Sequence, residues 1–469
     1  MENLGEVELK ILEEIKPKPS EYELLLKTYE KVKHAIEETL SKHSIRAEVT
    51  LQGSVAHDTW LSGDRDLDVF VLFPSDWSRE DLEKKALPIL IEAAREIGEY
   101  ELRYAEHPYV RVRLGEVEAD IVAGLKLDTP TLAKTAVDRT PFHTLFINKT
   151  LSSEQRDHVR LLKKFMKSIG VYGAEVKTRG FSGYAVELLI VAYGGFREVL
   201  KAASEWRPPV VVNTIGDKLT RELLKKLRDK YPDSLVYMPD PVDYLRNVTA
   251  SVNARSLFTF IIASQCYLSN PSVSFFREPV APRVEELLEK TRNRCIVFLE
   301  YYLKEPLPPD VVWGEAWRVA STAPRVLGGF DIRVLDYSAW SNEKDIVVIA
   351  LELESCQLPL FKLYSGPCLG HEGDRIHGFI KKHLGRGFGP WIDYKGCMES
   401  LDPRREVNVL EVISERWSEF TVSPHLKTIK PVVELLNEEV FKKLSDLGAT
   451  RWLRDFILKK PSWMEYCTS

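Results

Sequence analysis

The sequence predicts an α+β protein of several domains, and three observations lead to this prediction. The chain has 469 residues, which is room for about three domains of average size. Roughly its first 140 residues mix strand-like alternation with amphipathic helices, whereas the stretch that follows reads almost entirely as helix. From about residue 258, apolar strands alternate with helices again. We therefore predict three domains, at residues 1–142, 143–257 and 258–469.

The first domain is predicted as a small mixed sheet with helices. A long amphipathic helix is expected where Ser20 and Glu23 have the spacing of a capping box. The segment "IRAEVTLQ" alternates like a strand, and a helix is expected over residues 78–97. "YVRVRL" and "VEADIV" flank Gly115 and Glu116, a glycine step that suits the two-residue turn of a hairpin.

The second and third domains differ in their predicted secondary structure. Helices are predicted over residues 152–170 and 182–204, separated by a glycine-rich link, and again around "RELLKKLRDKYPDS" and after "MPDPVDYLRN". The last third contains the apolar strands "CIVFL" and "DIVVIALELE", a helix near residues 311–321 and the basic stretch "HGFIKKHLGRGFGPW". The predicted architecture is thus an α+β head, a helical centre and an α+β carboxy-terminal part.

The amino-acid composition indicates a folded soluble protein and argues against several other classes. Hydrophobic residues make up 44% of the chain and charged residues 29%, which is typical of a folded soluble protein. The most apolar stretch, "YAVELLIVAYGGF", contains Glu187 and is too short for a membrane span. The acidic amino terminus does not resemble a secretory signal, so we expect a cytoplasmic protein with no membrane partner. A net charge of −5 argues against indiscriminate coating of nucleic acid.

The spacing of the cysteines indicates neither a metal site nor a set of disulfides. The chain has six, with no close pair of the kind that holds zinc. In a chain of this size they need not form bridges, and we expect buried or idle thiols.

Two aspartates open the apolar strand in "QGSVAHDTWLSGDRDLDVFVLF". Because strand residues two apart point the same way, Asp66 and Asp68 present two carboxylates from one face. Two such charges are tolerated together when a cation lies between them, and oxygen ligands suit Mg²⁺. Asp120, on the predicted neighbouring strand "VEADIV", could reach the same place. Three carboxylates on adjacent strands indicate a two-metal site for phosphoryl or nucleotidyl displacement.

Gly53 and Ser54 supply a second half of the predicted site. Glycine lets the backbone approach a phosphate closely, and the serine hydroxyl and following amides can donate hydrogen bonds to a triphosphate. Either motif alone is ordinary turn or cap composition. Together, and followed by an apolar strand, they form an uncommon combination.

The set Gly53, Ser54, Asp66, Asp68 and Asp120 resembles the signature of the nucleotidyltransferase superfamily that includes DNA polymerase beta. Four further segments resemble the archaeal, class I tRNA nucleotidyltransferases that build the CCA terminus: "RYAEHPYVRV", "AVDRTPFH", "VRLLKKFMKSIGVYGAEVKTRGFSGYAVELLI" and "DPVDYLRNV". The likeness is dense from about residue 45 to 250. It implies a polymerase beta-like catalytic head, a helical central domain that binds nucleotide and RNA, and a carboxy-terminal body and tail that bind tRNA.

The resemblance also implies roles for individual residues. Asp66, Asp68 and Asp120 would be catalytic and would hold Mg²⁺, and His107 would lie near the nucleotide or the primer end. Arg246 would help to read the incoming base. The residues implied to bind ATP or CTP are Gly53, Ser54, His57, Arg139, Thr140, His143, Lys163, Tyr172 and Arg246.

His57 departs from the family pattern, which usually has arginine three residues beyond the serine. Arginine is permanently charged and forked, whereas histidine is only partly protonated near neutral pH. We therefore expect nucleotide affinity to weaken at high pH more than in a relative with arginine, and to recover in His57→Arg.

The expected function is template-independent addition of C, C and A to the 3' end of tRNA from CTP and ATP. A homodimer is implied by the resemblance alone. Two alternatives stay open: another template-independent nucleotidyltransferase, of the poly(A) or oligoadenylate synthase type, and a catalytically silent RNA-binding protein. A basic and aromatic region with Lys381, Lys382, Arg386, Phe388 and Trp391 could clasp RNA by its backbone, although an ordinary basic helix end is nearly as good an interpretation.

Overall fold

The computed structural model describes residues 4–104, 108–133, 135–277, 283–371 and 373–467. The chain divides into two compact units, Met1–Pro279 with Pro461–Ser469, and Val280–Lys460. The division lies after the boundary predicted at 257/258, because helix Ala254–Ser269 runs across that boundary and packs in the first unit. The division of the first unit at 142/143 stays a prediction.

Two helices begin the chain: α1, Glu6–Ile15, and α2, Pro19–Lys42. The predicted capping box at Ser20 and Glu23 is wrong, since the helix has already begun at Pro19. Proline suits the first helical turn, and Lys18 N donates to Glu21 Oε2 at 2.9 Å. The residue that caps the helix, Lys18, therefore lies two residues before the serine that the pattern selected.

The head is built on a mixed five-stranded sheet, as predicted. The strands are β1, Glu48–Gln52; β2, Asp66–Phe73; β3, Glu99–Tyr104; β4, Pro108–Leu114; and β5, Val117–Leu125. Their order is β1-β2-β5-β4-β3, in which β2 and β5 run parallel and the other neighbours are antiparallel. Gly115, with φ +63°, begins the predicted hairpin turn between β4 and β5.

Three further helical segments complete the head: α3, Gly53–Ala56; α4, Arg79–Asp81; and α5, Leu87–Ile97, with a π-helical stretch over Leu82–Ala86. The helix predicted over 78–97 is thus present as α4, the π stretch and α5. Apolar side chains of α2 and α5 pack on β2 and on the β4–β5 hairpin, as Val32, Leu90 and Val71 illustrate. This packing fixes the strand ends that carry the aspartates.

The central region is helical, as predicted. It contains α6, Ala136–Thr150; α7, Ser153–Ile169; α8, Gly183–Tyr193; α9, Phe196–Ser204; α10, Arg221–Lys230; and α11, Ala254–Ser269, with two short paired strands β6, Val210–Val211, and β7, Val236–Tyr237. The helix predicted over 182–204 is two helices, because Gly194 takes φ +94° and ends α8. Phe165, Phe196, Phe260 and Tyr267 form much of the shared core.

The second unit is α+β. Its strands are β8, Cys295–Tyr302; β9, Val334–Ser341; β10, Ile346–Leu353; β11, Phe361–Cys368; β12, Phe388–Ile392; β13, Cys397–Pro403; and β14, Val432–Leu435. Its helices are α12, Val284–Glu289; α13, Pro309–Gly328; α14, Gly373–His383; α15, Val409–Phe420; α16, Glu438–Asp446; and α17, Thr450–Leu458. Four strands form one antiparallel sheet in the order β14-β8-β10-β9, and three form another in the order β11-β13-β12.

Strand β10 explains why its sequence is apolar without a break. Val347 and Ile349 face a core with α13 and α15, whereas Ile346 and Val348 face a second core with α16 and α17. A strand covered on both faces has no polar side.

The expectation of idle thiols is wrong. All six cysteines are paired, as Cys266–Cys467, Cys295–Cys356 and Cys368–Cys397. The partners lie 201, 61 and 29 residues apart, so no local spacing motif could have indicated the pairing. Disulfides do not exclude an intracellular protein, since they are common inside the cells of hyperthermophiles.

Within the stretches of chain that the structure describes, no helix has both the length and the apolar character to cross a membrane.

Candidate active site

The three predicted aspartates lie on neighbouring strands of the head. Asp68 on β2 is in register with Asp120 on the parallel strand β5, and Asp66 is in register with Glu118. Register partners on adjacent strands point to the same face, and so do residues two apart on one strand. The sheet therefore presents Asp66, Asp68 and Asp120 together, at the amino-terminal end of β2.

The carboxylates influence one another electrically. Burial, followed by the charges of Asp120 and Asp66, raises the pKa of Asp68 to about 6. Burial also raises the pKa of Asp66, with a further contribution from Asp64. The ionised forms of Asp66 and Asp68 are thus disfavoured in the folded protein. A divalent cation bound between the carboxylates would reduce the repulsion between their negative charges. In chemical type, the donor set fits such a cation, which prefers carboxylate oxygens.

The carboxylates are nevertheless not closed around a common point. Among the residues that the structure describes, no group of three or more histidine, cysteine, aspartate and glutamate side chains is arranged to hold a metal ion. One of the carboxylates is engaged by Arg111 on β4, which the sequence analysis did not single out. Its Nε and Nη2 donate to Asp120 Oδ1 and Oδ2 at 2.6 and 2.8 Å.

The Gly53-Ser54 step stands directly against this carboxylate face. Gly53 has φ +67°, and a Cβ atom placed on it would lie 1.9 Å from Asp68 Oδ2. Glycine is therefore required here both by its backbone conformation and by the closeness of Asp68. With only four residues, α3 is too short to add much of a helix dipole.

His57 lies in a buried network rather than on an open surface. Its Nδ1 is 2.9 Å from Glu187 Oε1, and its Nε2 is 2.9 Å from Thr144 Oγ1. The Thr59 hydroxyl donates to the same Glu187 oxygen at 2.6 Å. Both ring nitrogens are thus engaged within the protein, and His57 connects α3 to α8 through Glu187. A contact of His57 with a triphosphate stays a prediction.

Lys163 on α7 joins this network. Its Nζ donates to the carbonyl of Thr59 at 3.0 Å, and the residue is only 3% exposed. Burial lowers the pKa of Lys163, whereas Glu187 opposes that shift. Burial alone would raise the pKa of Glu187, but the charge and hydrogen bond of His57, and then Lys163, lower it. The charges of His57 and Lys163 also act on Asp68, so the network borders the carboxylate face.

Tyr172 packs beside Lys163. A Cβ atom on Gly183 would lie 2.9 Å from the Tyr172 hydroxyl oxygen and 4.0 Å from Lys163 Cε, so the glycine lets α8 approach both side chains. Burial, and then the charge of Glu187, raises the pKa of Tyr172. The structure thus groups two of the residues expected to hold the triphosphate.

A second buried carboxylate, Asp240, organises the residues expected near the base. His143 Nε2 and Arg246 Nη1 lie 2.8 and 2.9 Å from Asp240 Oδ2, and the Tyr184 hydroxyl donates to Oδ1 at 3.1 Å. The His143 and Tyr184 rings stack with centroids 4.1 Å apart. Burial alone would raise the pKa of Asp240, but the hydrogen bond and charge of His143 help to lower it to about 2.

Helices α6 and α8 connect the two networks. On α6, His143 contacts Asp240 while the next residue, Thr144, contacts His57. On α8, Tyr184 contacts Asp240 while Glu187, three residues further, contacts His57. Arg139 and Thr140 lie one turn before His143 on α6, and Arg139 Nη1 is 3.9 Å from Asp243 Oδ2. His107 lies outside the described residues.

Three residues of this region were missed by the sequence analysis: Arg111, Glu187 and Asp240. For Glu187 a signal existed, because a single carboxylate in an apolar helix indicates a buried partner. The two-residue turn after β4 could have placed Arg111 opposite Asp120. For Asp240, in the proline-rich loop "PDPVD", no local pattern marked the buried role.

A mixed sheet with a Gly-Ser step against paired aspartates, followed by a helical domain, defines a nucleotidyltransferase. One family model, "Nucleotidyltransferase domain", matches residues 32–143, and a second, "tRNA nucleotidyltransferase, second domain", matches residues 157–277. A CCA-adding enzyme of Saccharolobus shibatae is 40% identical over 410 residues, 87% of this chain and 91% of that protein. One of Sulfurisphaera tokodaii is 37% identical over 88% of this chain and 91% of that protein. The chain belongs to the family of CCA-adding enzymes.

The solved structures that match are more distant. A cytoplasmic RNA terminal U-transferase aligns with 59% of this chain and 98% of its own, at 16% identity and a TM-score of 0.46. A likeness of this degree carries no argument about activity.

Proposed function

We propose that this protein adds C, C and A to the 3' end of tRNA, using CTP and ATP and no nucleic-acid template. The observation that carries the proposal is the register of Asp68 with Asp120 beside Gly53, in a chain that is 40% identical to a CCA-adding enzyme over most of its length. The same arrangement argues against a catalytically silent RNA-binding protein. Carboxylates that repel one another beside Gly53 and Ser54 would not help a surface to bind RNA, which is itself negatively charged.

The proposed reaction is a displacement at phosphorus. The 3'-hydroxyl of the tRNA gives up its proton to water, and its oxygen forms a bond to the α-phosphorus of the nucleotide. The bond from that phosphorus to the bridging oxygen of pyrophosphate breaks, so that pyrophosphate leaves with the electron pair. Mg²⁺ held by Asp66, Asp68 and Asp120 would stabilise charge on the attacking and leaving oxygens. Ser54 would donate to the triphosphate, and Lys163 and Tyr172 would border it.

Base selection is assigned to the cluster around Asp240. The buried carboxylate holds Arg246 through one guanidinium nitrogen at 2.9 Å, which leaves other donors of that group for a base or an RNA phosphate. A site that hydrogen-bonds one base edge rejects a base that cannot complete those bonds, by a factor of about 10⁴ or more in favourable cases. Arg246 is therefore proposed to favour C and A over U and G.

The test is an extension assay with tRNA that lacks its terminal trinucleotide. Protein and Mg²⁺ are mixed with that tRNA and each nucleoside triphosphate singly and in combination, and the 3' ends are sequenced. We expect two C residues, then one A, then a stop. A long homopolymer of A would indicate the alternative poly(A) type, and unchanged ends with retained tRNA binding would indicate the silent alternative.

The three-stranded sheet of the second unit is proposed to contact tRNA. Phe388 and Trp391 on β12 are exposed to 62% and 38%, and Lys381 and Lys382 end helix α14, which packs on the same sheet. Aromatic faces and flexible cations suit an RNA backbone and its exposed bases. We expect Lys381→Ala with Lys382→Ala to weaken tRNA binding, more so at low salt, while kcat at saturating tRNA is unchanged. Equal binding by that variant and the natural protein would remove this surface from the proposal.

The proposal includes a homodimer in the cytoplasm. The family resemblance supports the homodimer, and sedimentation velocity on the full chain tests the oligomeric state.

A further inference from the structure

Arg111 is placed to control the third aspartate of the site. β4 and β5 are antiparallel, and their register sets Arg111 opposite Asp120. The guanidinium spans the carboxylate with two parallel bonds, Nε to Oδ1 at 2.6 Å and Nη2 to Oδ2 at 2.8 Å. Bidentate arginine–carboxylate pairs of this kind are among the strongest and most directional contacts between side chains. Both oxygens of Asp120 are therefore engaged.

A second acceptor lies within reach of the same guanidinium. Arg111 Nη1 is 3.3 Å from Glu118 Oε2, two residues before Asp120 on the same face of β5. Glu118 also accepts from Arg113 Nη2 at 2.8 Å. The guanidinium can thus leave Asp120 without losing every carboxylate partner, which makes exchange between two arrangements feasible.

The pairing opposes metal binding in two ways. It occupies the oxygens that a cation would need, and it places a fixed positive charge beside the position that a cation would take. It also agrees with the finding that, within the described residues, the carboxylates do not form a closed group of three.

We propose that Arg111 is a positioning residue that holds Asp120 in a resting arrangement and competes with the divalent cation for it. The metal centre closes only when the guanidinium shifts away from Asp120, toward Glu118. The inference rests on the proposed metal-dependent nucleotidyl transfer, because it assigns Asp120 to the cation.

The test measures metal binding without turnover. Mn²⁺ is titrated into the full-length protein with no nucleotide or RNA, and free Mn²⁺ is followed by electron paramagnetic resonance. We expect Arg111→Gln to bind Mn²⁺ about tenfold more tightly than the natural protein, since one competing charge and one bidentate pair are removed. Arg111→Lys keeps the charge but not the fork, and should give a smaller gain.

Arg113→Gln is the matched control. It removes the same charge two residues away on the same strand, but Arg113 pairs with Glu118 and not with Asp120. Because this change leaves Glu118 more open to Arg111, Mn²⁺ affinity in Arg113→Gln should rise slightly, by less than about threefold. If Arg111→Gln binds Mn²⁺ no more tightly than Arg113→Gln, the competition is disproved, and weaker binding would mean that Arg111 prepares Asp120 for the metal instead. Should Arg111→Gln fold poorly, as judged by its melting curve, the comparison of Arg111→Lys with the natural protein decides.

The variant Asp68→Asn distinguishes a failure of this inference from a failure of the proposed function. It should abolish tight Mn²⁺ binding in the natural background. If the natural protein shows no Mn²⁺ site that depends on Asp68, the metal-dependent function itself fails. If that site exists but does not respond to Arg111, only the present inference fails.

Discussion

Asp68→Asn should reduce nucleotide addition to tRNA by a factor of about 10³ or more while leaving tRNA binding nearly unchanged. Asparagine keeps the shape of the side chain but lacks the charge that a divalent cation requires. Asp68 is also the carboxylate that stands against Gly53 and is in register with Asp120, so no neighbour can take its place. The measurement is single-turnover incorporation of CTP, together with tRNA affinity by filter binding.

The control for Asp68→Asn is Asp76→Asn, in the exposed turn after β2, which makes the same chemical change away from the carboxylate face. It should retain full activity. Incorporation by Asp68→Asn within tenfold of the natural rate would show that the chemistry lies elsewhere. Loss of tRNA binding together with activity would show that the carboxylate is structural.

The placement of the aspartates could be predicted from the sequence because it depends on short-range rules. Alternation along a strand sets Asp66 and Asp68 on one face, and an apolar run identifies the strand. The two-residue turn at Gly115 also determines that Arg111 lies opposite Asp120. What the local pattern could not show is that the arginine engages both carboxylate oxygens of the aspartate.

The networks around Glu187 and Asp240 could not be predicted, because their partners are distant in the chain. His57 and Glu187 are 130 residues apart, and His143 and Asp240 are 97 apart. The family pattern indicated a phosphate contact for position 57, and in the fold Glu187 of α8 and Thr144 of α6 engage its two ring nitrogens. The disulfides follow the same logic, since Cys266 meets Cys467 only after the chain returns to the first unit. Long-range burial, and not local propensity, determines these contacts.

Glu187→Gln should lower the free energy of unfolding of the first unit by about 3 kcal/mol or more, because it removes the buried carboxylate that favours the Lys163 cation and that bonds to His57 and Thr59. Glu187 is 2% exposed, and it is bonded to His57 and Thr59 and lies near Lys163. Glutamine preserves the volume and one carbonyl oxygen but not the charge. The midpoint of urea unfolding, followed by far-ultraviolet circular dichroism, measures the loss. Glu205→Gln, an exposed change at the end of α9, should alter stability by no more than about 0.5 kcal/mol.

The stability of Glu187→Gln should depend on pH differently from the stability of the natural protein. His57 and Lys163 hold the pKa of Glu187 below its ordinary value, so the ionised carboxylate stabilises the fold above that ordinary value, and this contribution declines as the pH falls below about 4. Glu187→Gln should therefore lose stability at pH 7 and show less acid sensitivity than the natural protein. Its KM for CTP should rise, since α3 and Lys163 both depend on this network for their position. His57→Arg places a permanent cation beside Glu187, and its nucleotide KM should vary less with pH than that of the natural protein. Unchanged stability in Glu187→Gln at pH 7 would mean that the buried charges are compensated by other groups, and that His57 and Lys163 do not depend on Glu187.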